Sequence, residues 1–327
     1  ESRILVLSWG KREGGMPAEA IFGDAEPTMV HADLYKIEPC LLDGEVETVI
    51  VKALQSLGGT ARVHLVPAAA TMAFFSKFQG IFMDRRVICY RFPDAVGMLG
   101  AYQMTTGAVF EFLSTCFEGF TAIIASDQAT IRADRQRLAI EPERWHELPP
   151  PCDAASADPS PISGRVLCLP QDEADFVGEV SKRLAGWPAM GEPAQKITLD
   201  APQDWRELEE IDLAMYDAIL CMDACGPALA WITRALGAGV PVVAPKESMA
   251  DAVIVDGVTG LLFDTAPDDA GTGETSRGKL CADTVRRLYA GPSPLAAMRS
   301  AAYAFGQTHY STPVFRQKLH SILEVVG

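Results

Sequence analysis

The residues best suited to hold an anion lie at strand-to-helix turns, and one such turn is centred on Gly226 and Pro227. It follows an apolar run at residues 217–221, and proline suits the first helical position because its missing N–H is not needed there. The first N–H groups of a helix have no intrahelical partner, so the turn that continues through Ala228 and Leu229 could bind a phosphate. A Gly-Pro pair also begins many ordinary helices. Both interpretations stay open.

A second turn contains two adjacent glycines. Gly14 and Gly15 follow the first strand pattern beside Lys11 and Arg12, so backbone amides and positive charge could meet an anion there. The spacing fits neither the dinucleotide-binding fingerprint nor the Walker loop. A plain flexible turn explains these glycines equally well.

A third turn follows the strand pattern that ends near Tyr90. The guanidinium of Arg91 suits a phosphate or carboxylate, and Asp94 could act as a base or hold a hydroxyl. Arg91 and Asp94 are therefore the candidate catalytic residues. An Arg–Asp surface pair is the alternative explanation.

Histidine and cysteine spacing gives no sign of a metal site. The five histidines show neither metal-ligand spacing nor a nucleophile partner. Cys221 and Cys225 lack the second pair of ligands that a zinc site needs. The eight cysteines are scattered, several of them inside apolar runs where a thiol behaves as a small hydrophobe. We expect no metal and no disulfide framework.

Composition and charge exclude other classes of protein. The chain has 48% hydrophobic residues, which is typical of a globular protein. It has 28 basic and 43 acidic residues, a net charge of −15, and both halves are acidic. Nucleic-acid-binding surfaces carry a surplus of basic residues, so nucleic acid is not an expected partner. No apolar run is long enough to predict a transmembrane segment, and the first residues resemble a strand rather than a signal peptide, which predicts a cytoplasmic protein.

Apolar runs and amphipathic stretches alternate along the chain, which predicts an α/β fold with parallel sheets. The proline-rich stretch over residues 148–162 lacks periodicity and predicts a linker. We predict two tandem Rossmann-like, doubly wound domains, over residues 1–155 and 162–305, with a cleft between them. A C-terminal helix within residues 306–327 is predicted to cross back to the N-terminal domain. Among the predicted helices are residues 129–138, 204–214, 227–236, 251–255 and 292–305.

Two signatures in the second domain carry a resemblance to a known family. They are GVPVVA at residues 239–244 and DGVTGLLF at residues 256–263. Both signatures, and the number of residues between them, resemble those of the C-terminal domain of the GT-B glycosyltransferases of family 4. Residues 121–153 are similar to the end of that family's N-terminal domain, and Gly14 and Gly15 fall at its glycine loop. The resemblance covers most of the chain.

This resemblance implies a chemistry as well as a fold. It implies retaining, metal-independent transfer of a sugar from a nucleotide diphospho-sugar to a glycan or other acceptor. The donor is then a co-substrate, and no resident cofactor is expected. The donor would be held mainly by the C-terminal domain and the acceptor by the N-terminal domain.

The active-site motifs depart from the family pattern at several positions. Counting back from Gly239, the family's two glutamates fall on Gly226 and Arg234, and an arginine cannot accept a hydroxyl proton. The cations expected after Leu169 are replaced by residues 170–175, which are rich in acidic side chains. Acidic residues at that position would oppose the stabilisation of a departing diphosphate. The histidine expected near the end of the Tyr90 strand is also missing.

Two hypotheses follow from these departures. The first is a divergent transferase that binds its diphosphate with other cations, for which the candidates are Lys11, Arg12, Arg91, Arg234 and Lys246. The second is a catalytically degenerate homologue that serves as a binding or scaffold subunit for an active partner, such as a homologous transferase. A homo-oligomer is a further possible assembly. The missing motifs favour the second hypothesis, whereas most members of this family of similar length are transferases, which favours the first; the first is the preferred interpretation, with activity left open.

Overall fold

A computed structural model of the chain describes most of its C-terminal half and separate segments of its N-terminal half. The described residues are 4–9, 28–32, 52, 55, 62–65, 79–82, 86–91, 111, 114–138, 140–152, 161–170, 174–185, 187–189, 195–202, 207–222, 226–246, 248, 253–264 and 276–325. The chain divides into two compact units. Unit 1 comprises Glu1–Pro149 and Arg316–Gly327, and unit 2 comprises Pro150–Phe315.

The described residues of unit 1 form a six-stranded sheet in the order β2-β1-β3-β4-β5-β6, with every neighbouring pair parallel. Residues 87–90 of β4 and all of β5, two strands inside the sheet, are apolar and buried, as parallel strands covered on both faces must be. The strands are β1 (Ile4–Trp9), β2 (Thr28–Ala32), β3 (Arg62–Leu65), β4 (Val87–Arg91), β5 (Ala122–Ala125) and β6 (Trp145–Glu147).

Helix α1 (Gln128–Arg137) connects β5 to β6 in unit 1. The Asp127 side chain accepts a hydrogen bond from the Thr130 N–H and so caps the first turn of α1. Short 3-10 helices span Gln79–Phe82 and Pro142–Arg144.

The described residues of unit 2 form a five-stranded parallel sheet in the order β10-β7-β11-β12-β13 and a separate β8–β9 hairpin. The strands are β7 (Arg165–Cys168), β8 (Pro188–Ala189), β9 (Gln195–Lys196), β10 (Thr198–Asp200), β11 (Ala218–Leu220), β12 (Val242–Pro245) and β13 (Gly260–Phe263). The helices are α2 (Ala174–Leu184), α3 (Gly226–Gly237), α4 (Arg277–Leu288) and α5 (Pro292–Tyr310), and α6 (Thr312–Val325) continues into unit 1.

Two separate apolar cores cover the two faces of the unit 2 sheet. Leu167 and Ile219 pack on one face with residues of α3 and α5, such as Ile232. Their chain neighbours Val166 and Ala218 pack on the other face with residues of α2 and α4. Successive side chains of a strand point to opposite faces, so this division follows from strand geometry. Helices on both faces of a parallel sheet confirm the predicted α/β fold class.

Some predicted elements differ from the observed ones. The helix predicted over residues 204–214 is, where described, two 3-10 helices, Glu207–Glu210 and Leu213–Met215. The break arises because the Asp212 side chain accepts the Ala214 N–H and begins a new turn. Residues 253–255 of the helix predicted over 251–255 are not helical. Helix α5 extends beyond the predicted end at residue 305, because neither Gly306 nor the residues after it interrupt its hydrogen bonding.

The cysteines that the structure describes are all buried. This group comprises Cys89, Cys116, Cys152, Cys168, Cys221 and Cys281. Burial raises the pKa of the Cys281 thiol, so the Cys281 thiol stays protonated near neutral pH.

Candidate functional site

The strand order of unit 2 changes direction at β7. The chain passes from β7 to β10 on one side of the strand and then returns to β11 on its other side. Ligands of open α/β sheets bind at such a switch point, outside the carboxyl ends of the strands. At this edge the Leu169 N–H donates to the Leu220 carbonyl at 2.9 Å, which holds the ends of β7 and β11 side by side.

Helix α3 begins on the carboxyl side of β11 because it is the next element along the chain. The predicted phosphate-binding residues Gly226, Pro227, Ala228 and Leu229 all lie in its first turn. Ala228 and Leu229 are fully buried, so their side chains hold the helix against the core. The N–H groups of this first turn have no acceptor within the helix. The helix dipole adds partial positive charge at the same end. The local geometry therefore suits an anion.

Close packing against α5 fixes the other end of α3. A Cβ atom added at Gly306 of α5 would lie 2.5 Å from the Gly237 nitrogen, so the two backbones meet without an intervening side chain. Gly239 ends the α3 turn with φ +70°, a conformation that favours glycine. The Gln307 side-chain amide donates to the Gly237 carbonyl at 3.2 Å. These contacts set the position of α3.

Arg234 lies in the last turn of α3, and its guanidinium lies over the Trp231 ring at 4.5 Å from the centroid. Trp231 is buried, whereas Arg234 is exposed. Gly226, Ala230 and Arg234 are four residues apart and therefore follow one face of the helix. Arg234 nevertheless lies eight residues from Gly226, about 12 Å further along the helix, at its opposite end.

Lys246 follows β12 at the same carboxyl edge of the sheet. Its Nζ forms an ion pair with Asp264 Oδ1 at 2.9 Å. The hydrogen bond with Asp264 raises the pKa of Lys246, and Coulombic attraction to that carboxylate acts in the same direction. Lys246 therefore lies at this edge with its charge paired to Asp264.

The acidic stretch after β7 leads into α2. Asp175 lies in the first turn of α2 and is exposed. A carboxylate at a helix N-terminus interacts favourably with the helix dipole. Asp175 therefore lies where its charge stabilises the start of α2.

Arg91 is the last residue of β4 and pairs with Ala125 of β5, so it lies at the carboxyl edge of the unit 1 sheet. Ala125 in turn pairs with Glu147, the last residue of β6. Gly14, Gly15 and Asp94 lie outside the described residues. Their assignment to the site stays a prediction.

Sequence reasoning missed two residues that determine how the predicted cations behave. Trp231 holds the guanidinium of Arg234, and Asp264 compensates Lys246. The spacing of Trp231 and Arg234, three residues apart on a helix, is a readable signal for contact. No such signal joins Lys246 to Asp264, because their contact depends on the pairing of β12 with β13.

Within the part of the chain that the structure describes, no helix is long and apolar enough to cross a membrane. In the same part, no group of three or more histidine, cysteine, aspartate or glutamate side chains could hold a metal ion.

Comparison with known proteins gives no match by sequence, either to a family model or to a curated protein. Solved structures do match. HepE of Anabaena, solved with UDP and glucose, has a TM-score of 0.65 at 16% identity, with 99% of this chain and 100% of that chain covered. Sucrose-phosphate synthase of Thermosynechococcus elongatus has a TM-score of 0.61 at 11% identity, with 100% and 99% covered.

A third similar structure is the pneumococcal O-GlcNAc transferase GtfA, solved with UDP and GlcNAc. Its TM-score is 0.59 at 13% identity, with 86% of this chain and 60% of that chain covered. These likenesses extend over both units. The chain has the fold of the GT-B glycosyltransferases, as the sequence signatures predicted.

Proposed function

We propose that this chain is a glycosyltransferase that takes a sugar from a nucleotide diphospho-sugar. The observation that carries the proposal is the N-terminus of α3 at the switch point of unit 2, in a chain with the GT-B fold. Backbone N–H groups and the helix dipole favour a phosphate at this point. HepE and the pneumococcal transferase were both solved with UDP, which supports a nucleoside diphosphate as the ligand.

The proposed reaction is a retaining transfer without a metal ion. The bond between the sugar C1 and the diphosphate oxygen breaks, and a bond from C1 to an acceptor hydroxyl oxygen forms on the same face. The acceptor proton passes to the departing diphosphate. Negative charge develops on that diphosphate, so fixed N–H donors and a guanidinium lower the barrier. We assign the acceptor to unit 1, where Arg91 lies at the carboxyl edge of the sheet.

Calorimetric titration of the full chain with UDP-, GDP- and ADP-sugars tests this proposal. We expect one nucleotide series to bind and to raise the unfolding temperature, because a ligand that binds only the folded state stabilises it. The donor that binds is then incubated with candidate glycans, and mass spectrometry of the glycans reports whether a sugar has been transferred. If no nucleotide or nucleotide-sugar binds the folded chain, the proposal is wrong.

The second candidate is a degenerate homologue that binds or scaffolds an active transferase. The observation in its favour is that α3 has no carboxylate at residues 226 and 234, where the resemblance implies two. A similar structure, the GtfA/B complex, contains two named partners. Donor binding without turnover by the purified chain, together with turnover in a reconstituted complex with a homologous transferase, would support this candidate. Turnover by the chain alone would exclude it.

A further inference from the structure

Large apolar side chains that stay exposed are concentrated in one part of unit 2. Among the described residues they are Trp187 at 44%, Met215 at 50%, Val255 at 42% and Val258 at 48% exposure, together with Val325 at 80%. The first four belong to unit 2, and Val325 belongs to unit 1. Single exposed apolar residues are ordinary, whereas several on one edge of a domain mark an interaction surface.

Trp187 and Met215 lie at the amino ends of strands in the unit 2 sheet. The Trp187 carbonyl accepts from the Ile197 N–H at 3.1 Å, and β10 begins at the next residue. The Met215 carbonyl accepts from the Ser163 hydroxyl at 3.1 Å, and Ser163 lies two residues before β7. Met215 itself lies three residues before the start of β11.

The two valines lie at the amino end of β13. Val258 precedes the first strand residue, Gly260, by two positions. The Val255 carbonyl accepts the N–H groups of Val258 and Thr259, each at 2.9 Å, so the two valines share one turn.

The amino ends of parallel strands lie on the same edge of a sheet, so these four side chains line one edge. We call them the amino-edge row (Trp187, Met215, Val255 and Val258). The row extends from β10 to β13 in the order β10-β7-β11-β12-β13. Four strand spacings of about 4.8 Å make it about 19 Å wide.

The described contacts hold the amino-edge row in place. The Arg286 guanidinium lies over the Trp187 ring at 4.6 Å from the centroid, and it donates to Asp283 at 2.8 Å. In the valine turn, Gly257 has φ +76° and its N–H donates to the Gly260 carbonyl at 2.9 Å. A preorganised surface loses little conformational entropy on binding, and tryptophan is prominent among the residues that dominate binding energy at protein interfaces.

Charged side chains give the amino-edge row a positive and a negative end. Lys182 lies in the last turn of α2, just before Trp187, and Lys196 pairs with the residue that follows Trp187. Both lysines are exposed, and no ion pair joins either of them to a carboxylate among the described residues. At the β13 end, Asp256 is exposed between the two valines. Asp212, also exposed, begins the turn that leads to the middle strand, β11.

We propose that the amino-edge row is the contact surface for a second copy of this chain in a symmetric dimer. In an isologous contact the same surface serves both copies. A two-fold axis through the row places the positive β10 end of one copy against the negative β13 end of the other, so the charges are complementary. This match is specific to a second copy, because each end of the row is completed by the opposite end.

The net charge of the chain favours the same surface. Two copies that each carry −15 repel one another over most of their surfaces. The row has two lysines and two aspartates beside it and is therefore locally neutral, so association is opposed least there. An anionic lipid surface would meet the same repulsion without an excess of basic residues to offset it. The contact lies at the opposite edge of the sheet from the carboxyl ends of the strands, so the inference does not depend on the proposed function.

Sedimentation equilibrium of the full chain, from nanomolar to high micromolar concentration, tests the proposal. We expect a reversible monomer–dimer equilibrium with a dissociation constant in the micromolar range. Trp187→Ala should weaken the dimer by about thirtyfold or more, because a symmetric contact loses two tryptophans. Val258→Asp should abolish it in this concentration range, because it places a charge in the apolar row of each copy. Lys196→Glu should weaken it by about fivefold to thirtyfold.

Val325→Asp is the matched control, because it introduces the same charge at an exposed valine of unit 1. This variant should dimerise as the wild type does. Carbodiimide cross-linking of a mixture of isotopically labelled and unlabelled chain tests the orientation. It joins amines to carboxylates without a spacer, so we expect links from Lys182 or Lys196 of one copy to Asp256 of the other.

Several results would overturn the proposal. A wild-type chain that stays monomeric over the whole concentration range excludes the dimer. A dimer that Trp187→Ala and Val258→Asp leave within twofold of the wild type, or that cross-links only through unit 1, has its contact elsewhere. Binding to phosphatidylglycerol vesicles that Trp187→Ala abolishes would assign the row to a lipid surface instead. Circular dichroism and thermal unfolding confirm that each variant is folded, and a failure to bind nucleotide would count against the proposed function alone.

Discussion

The contact between α3 and α5 gives the sharpest stability prediction, because a glycine lets their backbones meet. Replacing Gly306 with alanine would place a Cβ atom 2.5 Å from the Gly237 nitrogen, 2.6 Å from the Leu236 carbonyl carbon and 2.8 Å from the Gly237 Cα. Ordinary contacts of a Cβ atom begin at 3.4 Å. The atoms in the way belong to the backbone, so the helices must separate by about 1 Å.

Two opposing effects set the magnitude. Overpacking of a close-packed core costs about 1–3 kcal/mol. Alanine in a helix is more favourable than glycine by about 0.5–1 kcal/mol. The clash involves three backbone atoms, so we expect a net loss of about 2 kcal/mol in the free energy of unfolding of unit 2. The displaced α3 should also weaken UDP binding, because α3 carries the proposed diphosphate site.

Gly178 of α2 provides the matched control. A Cβ atom added at Gly178 meets nothing within 4 Å. Gly178→Ala should therefore stabilise the protein by about 0.5–1 kcal/mol through helix propensity alone. Urea unfolding followed by far-ultraviolet circular dichroism measures both variants. If Gly306→Ala is as stable as Gly178→Ala, the glycine contact does not set the distance between α3 and α5, and the reasoning is refuted.

Two further predictions concern buried and half-buried carboxylates of unit 2. Asp217 accepts from the Gly164 N–H at 2.6 Å and lies 3.6 Å from Arg299, so Asp217→Asn should cost about 3–5 kcal/mol in urea unfolding, and a loss below 1 kcal/mol would contradict this. The hydrogen bond from the Ser276 hydroxyl, and then Arg183, lowers the pKa of Glu179 below its ordinary 4.5. Ionised Glu179 therefore stabilises the fold above pH 4.5, and this contribution is lost as the pH falls below that value. Ser276→Ala should make the acid-induced fall in unfolding free energy shallower, and an unchanged pH profile would oppose the assignment.

The sequence predicted the fold better than it predicted the site. Continuous apolar runs at β5, β11 and β12 marked buried parallel strands, and their alternation with amphipathic stretches marked the α/β class. The short strands β2 and β6 were not predicted, because each contains a histidine or glutamate that breaks the apolar run. Their strand character depends on pairing with β1 and β5.

Neighbouring residues along the chain determined the first turn of α3. A strand pattern, a glycine and a proline in sequence suffice to predict a helix start at Pro227, one residue after the observed start at Gly226, because capping and backbone preferences are local. The spacing of Trp231 and Arg234 on one helix was equally present in the sequence. The sequence by itself therefore determined where α3 begins and that Trp231 and Arg234 lie one turn apart on it.

The tertiary structure decided which residues surround each candidate cation. Lys246 and Arg234 are equivalent candidates in the sequence, yet strand pairing between β12 and β13 brings Asp264 to Lys246. Packing against α5 brings the Gln307 side chain to the Gly237 carbonyl at the end of α3. That carbonyl therefore does not need Arg234 as a hydrogen-bond donor. Electrostatic compensation depends on distances between residues far apart in the chain, and those distances exist only once the sheet and helices have packed.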